Sequence, residues 1–152
     1  MFRSANKYFL LSFLITIFIF PQTKRAITVD DLWAMKRIGT YSVSPDGKTI
    51  AYTLTSYTFE ANKGNTDIYL IDADGKNFKQ LTFFSNGEQI YNHKFSLDDS
   101  YIIFDYSYHQ TRDIAAVNTD GTNYRTVLAT INDERNPVLD ENGNLIFSSD
   151  ET

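Results

Sequence analysis

Ser44-Pro45-Asp46-Gly47-Lys48, running on into Thr49-Ile50-Ala51-Tyr52, is the stretch that decides the reading of this chain. The first five residues are turn chemistry. Pro presets φ, Asp offers a carboxylate to nearby backbone N–H groups, and Gly takes positive φ without steric penalty. The next four are mostly β-branched or aromatic, which suits a pleated, half-buried strand. The same event occurs twice more. Ser96-Leu97-Asp98-Asp99-Ser100 enters Tyr101-Ile102-Ile103-Phe104, and Leu139-Asp140-Glu141-Asn142-Gly143 enters Asn144-Leu145-Ile146-Phe147.

The correspondence continues downstream. Asp67-Ile68-Tyr69-Leu70-Ile71-Asp72 matches Asp113-Ile114-Ala115-Ala116-Val117-Asn118, and each leads to an Asp-Gly turn, Asp74-Gly75 and Asp120-Gly121. Residues 78–82 (FKQLT) and 124–128 (YRTVL) follow as short strands. The spacing is 52 residues from Tyr52 to Phe104 and 43 from Phe104 to Phe147, the excess lying mainly in a longer hairpin at 56–65. Four short strands in about 40–50 residues is the unit of a propeller blade. A sandwich of unrelated hairpins gives turn signals at similar spacing, but matches in the same order at two places per unit favour repetition. The expected fold is all-β: a partial β-propeller of about two and a half four-stranded blades, preceded by a signal segment and one short helix. The incomplete propeller spans 40–152, with blades at about 41–82, 91–128 and, in part, 136–152. The inner strands are expected at 41–43, 91–95 and 136–138. Propellers close with about four to eight blades, so the chain reads as the N-terminal piece of a longer protein.

Ahead of the blades, residues 27–39 read as a short capped helix. Thr28 is a suitable N-cap and Asp31, three residues on, completes a capping box. Leu32, Met35 and Ile38, with Trp33 beside them, form an apolar stripe; Lys36 and Arg37 suit the last turn and Gly39 the C′ position. Trp33 and Met35 read as packing residues rather than a ligand box.

Residues 1–25 have the layout of a secretory signal: Arg3 and Lys7, then thirteen almost entirely apolar residues at 8–20, then Pro21. The run is short for a spanning helix, which needs about 20 apolar residues. Small residues at the cleavage positions are missing, since a cut after Ala26 would leave Lys24 at −3. The expectation is a periplasmic or secreted protein, membrane-anchored if the signal is uncleaved. The chain has no cysteine, which excludes disulfides, thiol catalysis, Cys-ligated zinc and lipoprotein attachment. Every Asp and Glu lies at Asp30 or later, so from Ala26 onward 10 basic side chains face 19 acidic ones. That balance argues against nucleic-acid binding, which rests on Lys and Arg neutralising phosphates.

The residues that could carry chemistry read more simply as structure. His93 falls in an inner strand and His109 at a hairpin tip, neither with a second His at metal-ligand spacing. Asp72-Ala73-Asp74-Gly75 has its glycine fourth, whereas a calcium loop wants it sixth, so a hairpin turn explains it. Asp98-Asp99 and Asp140-Glu141 are paired carboxylates at the repeat equivalents of the Asp46-Gly47 turn, hence solvated turns. No two of the glycines at 39, 47, 64, 75, 87, 121 and 143 stand four apart, so no G-x-S-x-G nucleophile elbow exists. No catalytic, cofactor-binding or metal residue is assigned, no cofactor is expected, and this chain alone is not expected to be an enzyme.

Ser44 to Tyr52 resembles the WD40-like (PD40) repeat of TolB-type propellers. The larger block is more specific: TVDDLWAMKRIG (28–39), SPDGKTIAYT (44–53), Asn62-Lys63-Gly64-Asn65, DIYLIDADG (67–75) and QLT (80–82). In that order it resembles the start of an S9-family serine peptidase of the acylaminoacyl-peptidase and prolyl-oligopeptidase group. The likeness weakens toward the C-terminus, where Leu97-Asp98-Asp99 replaces Pro-Asp-Gly. The resemblance implies a propeller that gates peptide access to a following α/β-hydrolase domain, which holds the catalytic residues and is absent from this chain. The partners it implies are the remaining blades and that domain, with peptides bound only through the full-length protein. Open blade edges suggest self-association. The alternative is a TolB-like envelope interaction module without catalysis; no feature points to a lyase or sugar-binding propeller.

Overall fold

A computed structural model describes residues 24–108 and 110–151. The expected signal segment up to residue 23, and His109, lie outside the described residues. The first described element is a helix, α1 (Val29–Ala34). Thr28 caps it, with the Asp31 N–H donating to Thr28 Oγ1 at 3.3 Å and the Thr28 N–H donating to Asp31 Oδ2 at 2.8 Å. The helix is shorter than the 27–39 expected. Met35 is already extended (φ −69°, ψ 121°), and strand pairing begins at Arg37, opposite Thr55. Tertiary pairing thus overrides the C-terminal signals of Lys36, Arg37 and Gly39. Trp33 packs edge-on against Tyr57 and Phe59 of the adjoining hairpin, with ring centroids 6.3 and 5.2 Å away.

Three antiparallel sheets follow. The first is β1 (Arg37–Val43), β2 (Thr49–Thr58), β3 (Lys63–Asp72) and β4 (Lys79–Gln80), in spatial order 1-2-3-4. The second repeats it with β5 (Gln89–Phe95), β6 (Tyr101–Tyr108), β7 (Thr111–Asn118) and β8 (Arg125–Leu128). The third is the pair β9 (Glu134–Leu139) and β10 (Leu145–Ser149). This is the partial β-propeller read from the repeat, in which each meandering sheet is a blade.

The turns show how the repeat is encoded. Ser44 Oγ and Ser96 Oγ donate to Asp46 Oδ1 and Asp98 Oδ1, both at 2.7 Å. The same hydroxyls accept from the N–H groups of Thr49 and Tyr101 at 2.9 and 3.0 Å. Gly47 sits at φ 74°, where L residues are strained. Its equivalent is Asp99, held at φ 60°. The third turn differs from its expected alignment. Asp140, rather than Leu139, takes the place of Ser44: its Oδ1 accepts from the Asn144 N–H at 2.8 Å, and its carbonyl from the Gly143 N–H at 3.0 Å. The closing hydrogen bond spans one residue fewer, from the Asp140 N–H to the Asn144 carbonyl where Ser44 reaches Thr49, and the carboxylate substitutes for the serine hydroxyl.

The apolar core lies between the first two sheets. Ala51, Ile68, Leu70 and Leu81 from the first meet Ile90, Phe95, Ile102, Phe104, Ala115 and Val117 from the second. Period-2 alternation explains the sorting. Phe104 pairs with His93 and Ala115, so these three share the face toward the first sheet. Ile103 and Asp105 point to the opposite face, toward the third.

Candidate functional site

The seams between blades hold the chemistry-bearing side chains. His93, on β5, bridges the first seam. Its Nε2 lies 3.2 Å from the Ala51 carbonyl, and its Nδ1 is 3.3 Å from Thr40 Oγ1 on β1. Burial holds its pKa below the ordinary histidine value, so the neutral ring, donating at one nitrogen and accepting at the other, suits both partners. His93 is therefore a seam tie.

The paired carboxylates of the sequence stay apart from it. Asp98 is an exposed turn residue whose carboxyl is pulled down to about 2 by hydrogen bonds from the Ser96 and Ser100 hydroxyls and the Ser100 N–H. Asp46 is likewise lowered to about 2, by the Lys48 N–H and the Ser44 hydroxyl. Asp72 accepts from Asn77 Nδ2 at 2.6 Å, and Asp74 from Lys76 Nζ at 2.8 Å, both within their own turn. Among the described residues, no group of three or more His, Asp or Glu side chains could hold a metal ion. A cleft of roughly 300 Å³ opens at the turn end of the first seam, lined among others by Asp46, Asp72, Lys79 and Asp99. Lys79 Nζ donates across it to the Thr119 carbonyl at 3.4 Å.

Toward the other end of the sheets stand buried acids that sequence reasoning passed over. Asp67 accepts from Thr82 Oγ1 and from the Phe84 N–H, both at 2.9 Å, and burial raises its pKa. Glu88 and Glu134 are buried where the chain enters β5 and β9. Asn86 N–H donates to Glu88 Oε2 at 2.8 Å, and Thr130 Oγ1 to Glu134 Oε1 at 2.5 Å. Asp105, fully buried, accepts from the Asn92 N–H at 2.8 Å and has Arg112 Nη1 3.7 Å from its other oxygen. That guanidinium lies 3.6 Å above the Tyr91 ring, a cation–π contact. Asp113 is raised by burial and then by the charges of Glu134 and Asp133. One signal was available: Asn86-Gly87-Glu88-Gln89 recurs as Asn132-Asp133-Glu134-Arg135.

The outward face of the first sheet carries apolar side chains that the described residues leave exposed at its ends. Tyr41, Val43, Tyr52, Tyr69 and Phe78 occupy the positions that His93, Phe95, Phe104, Ala115 and Tyr124 occupy one blade on. Tyr52, Tyr69 and Phe78 stack in a row, with centroids 5.8 and 5.2 Å apart. In the second blade His93, Phe95, Phe104 and Ala115 are buried against a neighbour; in the first, Tyr41 is 74% and Phe78 60% exposed. The face thus has the residues and register of a seam half.

The fold and seams define a class: blades of a TolB-like β-propeller. No family model matches the chain. Among curated proteins it is similar to dipeptidyl-peptidase 5 of Porphyromonas endodontalis, 36% identical over 56 residues, or 37% of this chain and 8% of that protein. Among solved structures, the AtxE2 isopeptidase with astexin3-dC4 bound superposes with a TM-score of 0.64 at 13% identity, over 75% of this chain and 22% of that one. A TolB from Agrobacterium tumefaciens gives 0.54 at 25% identity, over 70% of this chain and 36% of its own. TolB from Acinetobacter baumannii gives 0.53 at 22%, covering 76% and 27%. The matched residues thus span less than a tenth of the curated relative's length. These likenesses bear out the resemblance to S9-peptidase and TolB propellers read from the sequence.

Proposed function

We propose that this chain is the non-catalytic propeller portion of an exported S9-type serine peptidase. In this reading the propeller screens peptides on their way to an α/β-hydrolase domain supplied by the rest of the full-length protein. The similarity to dipeptidyl-peptidase 5 carries the reading. The outward face of the first sheet supports it, since stacked Tyr52, Tyr69 and Phe78 in seam register are suited to a further blade. Export rests on the basic, then apolar, leader, which stays as an anchor if it is not cut.

The test is to express the full reading frame that contains this chain and treat it with a fluorophosphonate probe and a ladder of peptides. A labelled serine outside residues 1–152, with cleavage of short peptides but not of folded proteins, is the expected result. The 25% identity to a TolB over most of the chain favours a second reading: an envelope interaction module without catalysis. Absence of serine labelling, with stable capture of envelope proteins, would establish that reading instead.

A further inference from the structure

Residues 24–38 lead into the first strand and carry apolar side chains left exposed by the described residues. Ile27, Val29, Leu32, Met35 and Ile38 are all exposed, and Phe59, which packs on Trp33, adds its own exposed ring beside them. Four basic side chains, Lys24, Arg25, Lys36 and Arg37, stand along the segment against Asp30 and Asp31; Arg25 pairs with Asp31 and Arg37 lies over the Tyr57 ring, which leaves Lys24 and Lys36 as the excess. Beyond Ile38 the balance reverses, with eight basic side chains against seventeen acidic ones. In the sequence the apolar run 8–20 ends only four residues before Lys24. An exposed apolar stripe with basic flanks and a tryptophan at its border is the composition of a segment that lies in a membrane interface, and anionic headgroups attract the flanking cations while repelling the acidic blades.

We infer that residues 24–38 rest on an anionic lipid surface, with Val29, Leu32 and Met35 at the headgroup–acyl boundary and the blades held above it. The inference rests on the proposed export leader being retained in the membrane. In sequence, three residues separate position 20 from Lys24, so a retained leader keeps α1 close to the bilayer.

Trp33 is the only tryptophan, so it reports on α1 alone. The full chain is reconstituted into phosphatidylglycerol-containing vesicles with and without acyl-chain-brominated lipid. The expected result is a loss of about half the Trp33 emission with brominated lipid, and recovery of most of it in the Leu32→Asp/Met35→Asp double variant, because the stripe no longer inserts. Circular dichroism of that variant checks that the blades stay folded. Vesicle-bound, carbonate-resistant chain with unquenched Trp33 overturns the inference while leaving the anchor intact. Chain that does not stay with the vesicles overturns both. Trp33 shielded from aqueous iodide yet indifferent to brominated lipid overturns it in favour of a second protein surface on the stripe.

Discussion

Phe104→Ala should be the most damaging single truncation in the described chain. Phe104 is wholly buried in the seam between the first two blades, while its repeat equivalent Phe147 is 40% exposed. Rings of Tyr106 and Tyr124 lie 6.0 and 6.3 Å from that of Phe104, and Ala115 pairs directly opposite. Removing the ring takes away the transfer free energy of a phenyl group and leaves a cavity walled by two sheets whose backbone pairing resists collapse. Such substitutions cost about 3–5 kcal/mol. For Phe147→Ala the side chain is only partly sequestered and water fills the space left behind. Scaling the roughly 1.5–3 kcal/mol of a fully buried side chain by that burial gives about 1–2 kcal/mol. Urea unfolding followed by near-ultraviolet circular dichroism measures both, read as a midpoint shift at constant slope. The cost belongs to the seam rather than to the residue type. Equal losses at the two positions, or a Phe104→Ala cost below about 1.5 kcal/mol, would refute it.

Asp99→Gly should stabilise the chain by about 0.5–1 kcal/mol, because the left-handed backbone at φ 60° suits glycine, as it does at Gly47; an unchanged thermal midpoint would show that Asp99 is unstrained. Asp67→Ala should cost about 1–3 kcal/mol by leaving the Phe84 N–H and the Thr82 hydroxyl without their acceptor, measurable in the same urea titration. His93 has a folded pKa below its unfolded one, so the unfolded state gains the proton first; stability should fall as pH drops below about 6.5, by at most about 1.4 kcal/mol per pH unit, and His93→Asn should flatten that slope. Asp46 and Asp98 act at lower pH: their depressed folded values support stability above the unfolded carboxylate range, and that support is lost as pH falls from about 4 toward about 2. Val43→Lys/Phe78→Lys should reduce concentration-dependent association in sedimentation velocity, since both residues lie on the uncovered face of the first blade; an unchanged sedimentation profile would place the sticky surface elsewhere.

The strands and turns were legible because each is specified locally. Ser44, Asp46 and Gly47 each do one job within five residues, and the same jobs recur at Ser96, Asp98 and Asp99. The helix end was not legible, since Lys36 and Arg37 are good C-terminal helix residues and only pairing with β2, far along the chain, draws Arg37 into a strand. The third turn misled for a subtler reason: a carboxylate at Asp140 can replace a serine hydroxyl as acceptor, so the pattern of residue types shifted while the hydrogen bonds stayed. The seam residues lay beyond a single-sequence reading. Nothing around His93 announces that Ala51 and Thr40 will meet it, because that meeting depends on how one sheet lies against the next. Glu88 and Glu134 were hidden by the same dependence, although their shared Asn-X-Glu setting was visible.

The line of contacts from Thr40 and Ala51 to His93, and from Asn92 to Asn136 at 2.8 Å, joins each blade to its immediate neighbour. Cohesion of this sort is a nearest-neighbour chain. Amide exchange should therefore be slowest on β2, β3, β6 and β7, which flank the one fully packed seam, and fastest on β10. A lesion in one seam should loosen the blades on either side of it and leave more distant ones undisturbed. Loss of order would travel along the array from its ends, so the interface rather than the blade is the unit that melts.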